Sequence, residues 1–410
     1  MEYANLLKIN ETYLQTVRSN KIFMKTILFI NNVASPDDRK SWSGTSFQLI
    51  EALKRLGFKV DYLYALEKSK PSFAGNLIFT YWKCVKDILH KNVRIDDSFY
   101  LMYEYKKTLG KFDYSRYDYI FVPTHTCIIS ALPKHIKSKI IFVADAIVDN
   151  LFNYYSEFSN LIWHNYMEAH ILCKRAFERS DYLIVSSDWC KSNAIKQYGI
   201  QPNKISVLEF GANIDYTDIP VCLHKKRDFK QLRIYWSGVN WYRKGGDIAL
   251  VCCEKLISMG YNVTFSITGL KQLPKECYNQ SGYLKSYIKT FGFLNKNIKS
   301  DYKKMIEIMS NQDIFLFPSK AECSSIALCE ANGFGLPCFV FDTGGLSNYV
   351  INGKNGYRLS VGSDGNDFAN KVKTCIENNE IDRLSLGARE FFEMTLNWNV
   401  WGEKLKNIIK

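Results

Sequence analysis

The stretch most informative about the fold runs from Asp313 to Tyr349 and reads DIFLFPSKAECSSIALCEANGFGLPCFVFDTGGLSNY. Asp313–Phe317 and Pro337–Phe341 are short apolar runs, which is typical of strands buried on both faces of a parallel sheet. Ser325–Gly333, between them, predicts a helix. Strand, helix and strand in this order form one βαβ unit, so the stretch predicts a parallel sheet covered by helices.

The same alternation recurs on both sides of a break between residues 215 and 230. That break has no periodic pattern and contains Pro220 and a basic cluster, which indicates a linker. We therefore predict an α/β protein of two Rossmann-like, doubly wound domains, residues 21–220 and 230–390, that face each other across a central cleft. Residues 1–20 are polar and predict a helical appendage. The other predicted strands are Thr26–Ile30, Lys59–Tyr64, Tyr119–Val122, Lys139–Val143, Tyr182–Val185, Ile205–Leu208, Arg233–Ser237 and Val263–Thr268.

Composition excludes several classes of protein. With 410 residues, 47% hydrophobic and 23% charged, the chain is neither disordered nor fibrous. Twelve cysteines include no C-x-x-C pair and no Cys/His cluster at zinc spacing. We find no signal peptide and no uncharged run of about 18 residues, which predicts a soluble protein of the reducing cytoplasm.

Charge points to anionic partners. The 54 Lys and Arg outnumber the 41 Asp and Glu, a net charge of +13. Nucleotides, phosphorylated lipids, an anionic membrane surface and nucleic acid all fit this charge. No recognisable DNA- or RNA-binding motif accompanies it, so we expect no nucleic-acid partner.

Glu322 and Glu330 lie in and after the loop that follows a predicted strand, where ligands of parallel sheets bind. The helix start between them offers backbone N–H groups to a diphosphate, and the small Ser324 and Ser325 allow close approach. A carboxylate one turn further along can accept hydrogen bonds from a ribose diol. On spacing alone, two ordinary helix-flanking acids explain the pair better, because two Glu residues eight positions apart often occur by chance.

A second loop carries cations. Gly238–Gly246 follows the first strand of the second domain and contains Arg243 and Lys244. Adjacent cations at a helix start can neutralise a pyrophosphate leaving group, although a basic surface turn would look the same.

Polar residues also end strands of the first domain. His125 follows Pro123-Thr124, and Asp145 follows Ala144, so both are expected to face the cleft, where they could orient an acceptor hydroxyl or a donor sugar. A purely structural role fits each of them as well. The acidic pairs Asp37-Asp38 and Asp96-Asp97 follow no buried strand directly, and we interpret them as solvated loop acids, with no metal site.

Several of these segments together resemble a known family. Glu322 and Glu330, flanked by Pro318-Ser319, Gly335-Leu336-Pro337 and Thr343-Gly344-Gly345, resemble the E-x7-E motif of glycosyltransferase family 4 in the GT-B superfamily. The resemblance runs from Thr26 to about Trp401 and is strongest over Trp236–Gly356. It implies a metal-independent hexosyltransferase that moves a sugar, with retention, from a UDP- or GDP-sugar to a hydroxyl acceptor. It also implies that a C-terminal helix within 391–410, from about Trp398, crosses back onto the first domain.

The resemblance also implies residue roles. Lys244 keeps its place in the family pattern, Val239 stands where the family has Arg, and Arg243 would supply the second cation on the diphosphate. Asp145 replaces the usual His. The implied catalytic residues are Glu322, Arg243, Lys244 and Asp145, with His125 and Asp145 on the acceptor side. The implied donor-binding residues are Gly44, Gly238, Arg243, Lys244, Gly292, Phe293, Glu322, Ser324, Ser325, Ile326 and Glu330. No further cofactor is implied.

The acceptor and the location follow from the same resemblance. A growing surface polysaccharide or a lipid-linked glycan is the expected acceptor. The aromatic and basic stretch Phe152–Arg179, with the net charge, predicts peripheral binding to an anionic cytoplasmic leaflet, although charge that serves only solubility fits too. Alternatives are a GT-B nucleotide-sugar epimerase and a nucleotide-sugar or glycan-binding protein without turnover.

Overall fold

Two parallel β-sheets organise the chain. The computed structural model describes residues 25–66, 73–220, 229 and 231–409. Within these residues one six-stranded sheet has the order β2-β1-β3-β4-β5-β6 and the other has the order β12-β11-β10-β7-β8-β9. All the paired strands are parallel. The strands are β1 (Thr26–Asn31), β2 (Lys59–Tyr64), β3 (Tyr119–Pro123), β4 (Lys139–Ala144), β5 (Tyr182–Val185), β6 (Ile205–Val207), β7 (Gln231–Ser237), β8 (Asn262–Thr268), β9 (Ile288–Thr290), β10 (Ile314–Phe317), β11 (Cys338–Phe341) and β12 (Gly356–Leu359).

Helices connect the strands and cover both sheets. Glycines set some of their bounds: Gly44 precedes α1 with φ +92°, and Gly199 ends α7 with φ +69°. In the described residues the helices are α1 (Thr45–Arg55), α2 (Phe73–Leu89), α3 (Phe99–Leu109), α4 (Thr126–Ala131), α5 (Val148–Leu151), α6 (Trp163–Arg179), α7 (Asp188–Tyr198), α8 (Gly246–Ser258), α9 (Lys299–Ser310), α10 (Ile326–Gly333), α11 (Gly365–Glu377), α12 (Glu380–Met394) and α13 (Trp398–Ile408). None of these helices combines the length and the apolar character that a bilayer crossing requires.

The predicted fold class is confirmed: the chain has two α/β units, each with a six-stranded parallel sheet. Central strands such as β3 and β10 are buried along their whole length, as their continuous apolar sequences indicate. Helix α1 begins at Thr45, directly after the left-handed Gly44. The predicted appendage over residues 1–20 lies outside the described residues.

The last helix, α13, belongs to the first unit by its contacts. Trp398, Trp401 and Leu405 are buried in one cluster with Ile27 and Phe29 of β1. The C-terminal segment is not one continuous helix, since α12 ends at Met394 and α13 begins only at Trp398. The side chain of Asn397 caps α13 by accepting hydrogen bonds from the next backbone N–H groups.

Strand order fixes where a ligand can bind. The direction of winding reverses between β1 and β3 in the first sheet and between β7 and β10 in the second. Crevices at the carboxyl ends of strands form at such switch points. The loops after these four strands carry Gly44, His125, Lys244 and Glu322.

Candidate active site

Glycines bring the loops after β7 and β10 into contact. Gly245 has φ +69°, and a Cβ there would overlap the carbonyl of Pro318. At Gly238 a Cβ would lie 2.9 Å from Cγ of Lys244. Because neither position tolerates a side chain, the backbone places Lys244 directly against the segment that contains Glu322.

Glu322 lies at the centre of a buried ionic cluster. Its Oε1 contacts Nζ of Lys244, accepts a hydrogen bond of 2.7 Å from Ser319 Oγ, and lies 3.6 Å from Nη1 of Arg243. The Arg243 guanidinium also donates to the Ala321 carbonyl at 3.0 Å. Burial lowers the pKa of Lys244, and the attraction of Glu322 offsets part of that effect. None of the hydrogen bonds or ion pairs among the described residues involves Oε2 of Glu322, so this oxygen can accept from a ligand hydroxyl.

Glu330 forms a second buried pair. It lies in α10, and its Oε1 contacts Nζ of Lys296, a residue of the loop after β9. Nζ of Lys296 also lies 3.5 Å from the carbonyl of Ser43, in the first unit. The sequence did not predict Lys296 as a site residue. The family resemblance did imply donor binding by Gly292 and Phe293, which lie in the same loop.

The segment Thr343–Gly345 supports the Glu322 loop from behind. A Cβ on Gly344 would overlap the carbonyl of Glu322, and one on Gly345 would overlap that of Cys323. The hydroxyl of Tyr154, from the first unit, accepts a hydrogen bond of 2.9 Å from the Glu322 N–H and lies 2.7 Å from Thr343 Oγ1. Tyr154 therefore joins the two units at this loop, and sequence reasoning missed it as well.

His125 and Asp145 end strands of the first unit, and their environments differ. Nε2 of His125 lies 3.0 Å from Oδ1 of Asn31, and burial lowers the pKa of this imidazole to about 4. His125 is therefore neutral near pH 7. Burial raises the pKa of the Asp145 carboxyl; hydrogen bonds from its own and the next backbone N–H and from Trp42 offset part of the rise, and the charge of Glu322 adds to it.

The loop that precedes α1 has an unusual backbone. Trp42, Ser43 and Gly44 are consecutive residues with positive φ angles of 46°, 58° and 92°. A non-glycine residue in this region costs free energy and is held there only by its surroundings. Trp42 packs edge-to-face on Phe210 with ring centroids 5.3 Å apart, and Asn213 donates to the Ser43 carbonyl at 2.9 Å. These contacts fix residues 42–44, which we call the glycine loop, beside Lys296.

Known proteins resemble this chain in part of its sequence and over most of its fold. Residues 228–390, less than half of the chain, match the family model described as glycosyl transferases group 1. Sucrose-phosphate synthase from Thermosynechococcus elongatus is 15% identical with a TM-score of 0.65, covering 94% of this chain and 98% of that one. The chain has the GT-B fold.

Two further GT-B structures are similar over nearly the whole chain. The lipopolysaccharide outer core galactosyltransferase WaaB is 15% identical with a TM-score of 0.62, covering 94% of this chain and 99% of that one. Anabaena Alr3699/HepE in complex with UDP-glucose is 14% identical with a TM-score of 0.56, covering 94% and 99%. A comparison of the sequence with curated proteins finds no match.

The other residues predicted to bind the donor lie in the segments next to the ion pairs of Glu322 and Glu330. Ser325 is buried at the start of α10, Ser324 is half-buried, and Ile326 packs against the hydrophobic cluster of the first unit. Gly292 has φ +68° and accepts a hydrogen bond from Gly269, while Phe293 is 39% exposed. The structure thus brings Arg243, Lys244 and Glu322 together, whereas the hydrogen bonds of His125 reach none of them.

The two acidic pairs differ from the sequence interpretation. Asp37 and Asp96 are exposed, but Asp38 accepts a hydrogen bond of 2.9 Å from Asn297 and Asp97 accepts one of 2.7 Å from Arg94. The prediction that all four aspartates are solvated was therefore wrong for Asp38 and Asp97. These two are half-buried and form hydrogen bonds with other side chains. Within the described residues no group of three His, Cys, Asp or Glu side chains is arranged to hold a metal ion.

Replacing Asp145 should stabilise the protein. Its raised pKa means that the folded protein binds this proton more tightly than the unfolded chain, so stability falls as pH rises from the ordinary Asp value through the raised one. We expect Asp145→Asn to increase the free energy of unfolding at pH 7 by about 0.5–2 kcal/mol, with the gain shrinking toward pH 3. Denaturant unfolding at several pH values measures this, with the exposed Asp37→Asn as control; a gain that does not depend on pH would contradict the prediction.

Proposed function

We propose that the protein is a retaining glycosyltransferase that uses a UDP- or GDP-sugar as donor. The observation that carries the proposal is the buried cluster of Lys244, Arg243 and Glu322 at the switch point of the second sheet. The segment that forms it lies within the match to the glycosyl transferases group 1 model. The complex of the similar HepE structure with UDP-glucose supports a nucleotide-sugar donor.

The cluster suits a donor that carries two phosphates. Lys244 and Arg243 provide adjacent cations beside a helix that starts at Gly246. An incoming diphosphate adds negative charge next to Lys244 and so favours its ammonium form. As the bond to the sugar breaks, charge on the diphosphate grows, and cations that are already fixed stabilise that transition state more than the ground state. Oε2 of Glu322 would accept from a sugar hydroxyl, and Oε2 of Glu330 from the ribose.

The proposed reaction takes place on one face of the sugar. The bond between the anomeric carbon and the phosphate oxygen breaks, a bond from the acceptor oxygen forms on the same side, and the acceptor proton moves to the departing phosphate. This route requires no protein carboxylate on the opposite face of the sugar.

A donor screen tests the function. The purified chain is incubated with UDP- and GDP-sugars, thermal shifts identify the donor that binds, and released nucleotide is measured with and without glycan acceptors. Transfer with retained anomeric configuration, seen by NMR of the product, is the expected result. Interconversion of epimeric nucleotide sugars without transfer would indicate an epimerase, and binding without any nucleotide release would indicate a binding protein.

We expect transfer to survive chelation. The cations of Lys244 and Arg243 occupy the position where a metal ion would otherwise neutralise the diphosphate. Turnover measured in EDTA should therefore match turnover without it. Loss of turnover on chelation, with recovery on addition of Mn²⁺ or Mg²⁺, would contradict metal independence.

We further propose that the acceptor is a surface polysaccharide or a lipid-linked glycan and that the protein binds an anionic membrane. Within the predicted stretch, Phe152 and Phe158 pack against the core, whereas Trp163 is 71% exposed. Tyr81 of α2 lies against His164, next to Trp163, with ring centroids 5.8 Å apart. The exposed apolar side chains Leu77 and Ile88 of α2 extend this surface, which we call the α2–α6 apolar face.

Vesicle co-sedimentation tests the membrane proposal. Binding to phosphatidylglycerol vesicles is expected at low salt and release at high salt, because the Debye length falls from about 10 Å at 0.1 M to about 3 Å at 1 M. Trp163→Ser with Ile88→Ser should weaken this binding. The exposed Leu386→Ser, in the second unit, is the control. No binding to anionic vesicles at low salt would remove the membrane proposal and leave the transferase proposal intact.

A further inference from the structure

Lys296 contacts both units of the fold. It lies in the loop between β9 and α9, and its side chain is only 13% exposed. Its ammonium group contacts Glu330 Oε1 in the second unit and lies 3.5 Å from the Ser43 carbonyl in the first. One cation thus connects the expected ribose carboxylate with the glycine loop.

Neighbouring contacts hold Lys296 in this position. The backbone N–H of Arg39 donates to Asn297 Oδ1 at 2.8 Å, and Asn297 Nδ2 donates to Asp38 Oδ1 at 2.9 Å. Within the Lys296 loop, the N–H of Asn295 donates to Asp301 at 2.9 Å. The loop is therefore shaped locally and fixed against residues 38–39, so the position of Lys296 does not depend on its own side chain alone.

The pair has a chemical consequence for Glu330. Burying a charged group is costly unless an opposite charge and hydrogen bonds lie beside it. Lys296 supplies the opposite charge to Oε1, and none of the hydrogen bonds or ion pairs within the described residues uses Oε2. An ionised carboxylate oxygen accepts shorter and stronger hydrogen bonds from hydroxyls than a neutral carboxyl does.

We propose that Lys296 is a positioning residue for recognition of the nucleotide ribose, an inference that rests on the proposed function. Lys296 holds Oε1 of Glu330 in a buried ion pair, which leaves Oε2 for the 2′,3′-diol of a nucleoside diphosphate. The ligand class is a nucleoside diphosphate with both ribose hydroxyls intact.

Paired ligands test the role of Lys296. Calorimetry gives the dissociation constants of UDP and 2′,3′-dideoxy-UDP, and of GDP and its dideoxy analogue, for the wild type, Lys296→Met and Lys303→Met. Lys303 is an exposed lysine one turn into α9 and serves as the matched control. In the wild type and the control, the natural nucleotide should bind at least about tenfold more tightly than its dideoxy analogue. In Lys296→Met this ratio should fall to near one, with the affinity for inorganic pyrophosphate unchanged.

Other results of this binding experiment would contradict either the role of Lys296 or the proposed function. A ratio in Lys296→Met equal to that of the wild type would overturn the role of Lys296. Loss of pyrophosphate affinity with an unchanged ratio would make Lys296 a phosphate ligand and would also overturn it. Thermal unfolding verifies that each variant is folded, and Lys296→Gln replaces Lys296→Met if the latter is not. A wild-type protein that binds neither UDP nor GDP would overturn the proposed function itself and this inference with it.

Discussion

Replacement of Lys244 by methionine is expected to lower the rate of sugar transfer by about a hundredfold to a thousandfold. Removing one fixed donor that faces a developing negative charge costs about 2.7–4 kcal/mol of transition-state stabilisation. In the proposed site Lys244 would face this charge, because it is buried beside Arg243 and Glu322 at the switch point of the second sheet. The loss should appear in kcat, since the charge on the diphosphate is largest in the transition state.

The control for Lys244→Met is Lys320→Met. Lys320 lies on the adjacent loop and forms an exposed ion pair of 3.1 Å with Asp247, so its replacement should leave transfer nearly unchanged. Methionine retains most of the lysine stem, and Glu322 keeps the hydrogen bond from Ser319, so thermal unfolding should change little. A kcat of Lys244→Met equal to that of the wild type would exclude Lys244 from the diphosphate site.

Replacement of Glu330 is expected to weaken nucleoside diphosphate binding by about tenfold to a hundredfold, even without an acceptor. In the proposed site the variant would lose the hydrogen bonds between the Glu330 carboxylate and the ribose, and hydrogen bonds to charged groups contribute about 1.5–3 kcal/mol. Glu330→Ala also leaves Lys296 buried without its partner, which would destabilise the fold. Glu330→Gln keeps the shape of the side chain and is therefore the cleaner variant for calorimetry.

The control for Glu330→Gln is Glu377→Gln at the end of α11. Glu377 is exposed and forms only a 3.5 Å pair with Lys373 one turn earlier. Its replacement should leave the affinity for UDP and GDP unchanged. Equal affinity of Glu330→Gln and the wild type would count against the ribose assignment.

The sheets could be predicted because their strands are apolar on both faces. Tyr119–Val122 and Lys139–Val143 predict central strands without knowledge of their neighbours, and the structure extends each by one residue. The edge strand β12 was missed, since Gly356–Leu359 is mostly half-exposed and has no continuous apolar run. Helix α2 was missed because its apolar residues lie both against the protein and in solvent, so its pattern indicates no single buried face.

The candidate site was only partly accessible from sequence. Glu322, Glu330 and Lys244 lie in motifs whose spacing is visible along the chain. Their partners are distant: Lys296 is 34 residues from Glu330, and Tyr154 is 168 residues from Glu322. The packing of loops within the second unit brings Lys296 to Glu330, and the packing of the two units brings Tyr154 to Glu322. No local pattern therefore indicates either contact.

The first unit cannot complete its hydrophobic core until helix α13 has been synthesised. Domains usually complete their structure in the order in which the ribosome makes them. Here Trp398 and Trp401 complete the buried cluster that contains Ile27 and Phe29 of β1 and Leu49 and Leu53 of α1, and they are made after the whole second unit. A nascent chain that has already folded its second unit therefore still exposes an apolar face on its first. We expect chaperones to bind at that face during translation, and ribosome-stalled chains that stop before Trp398 to bind them longer than chains that include α13.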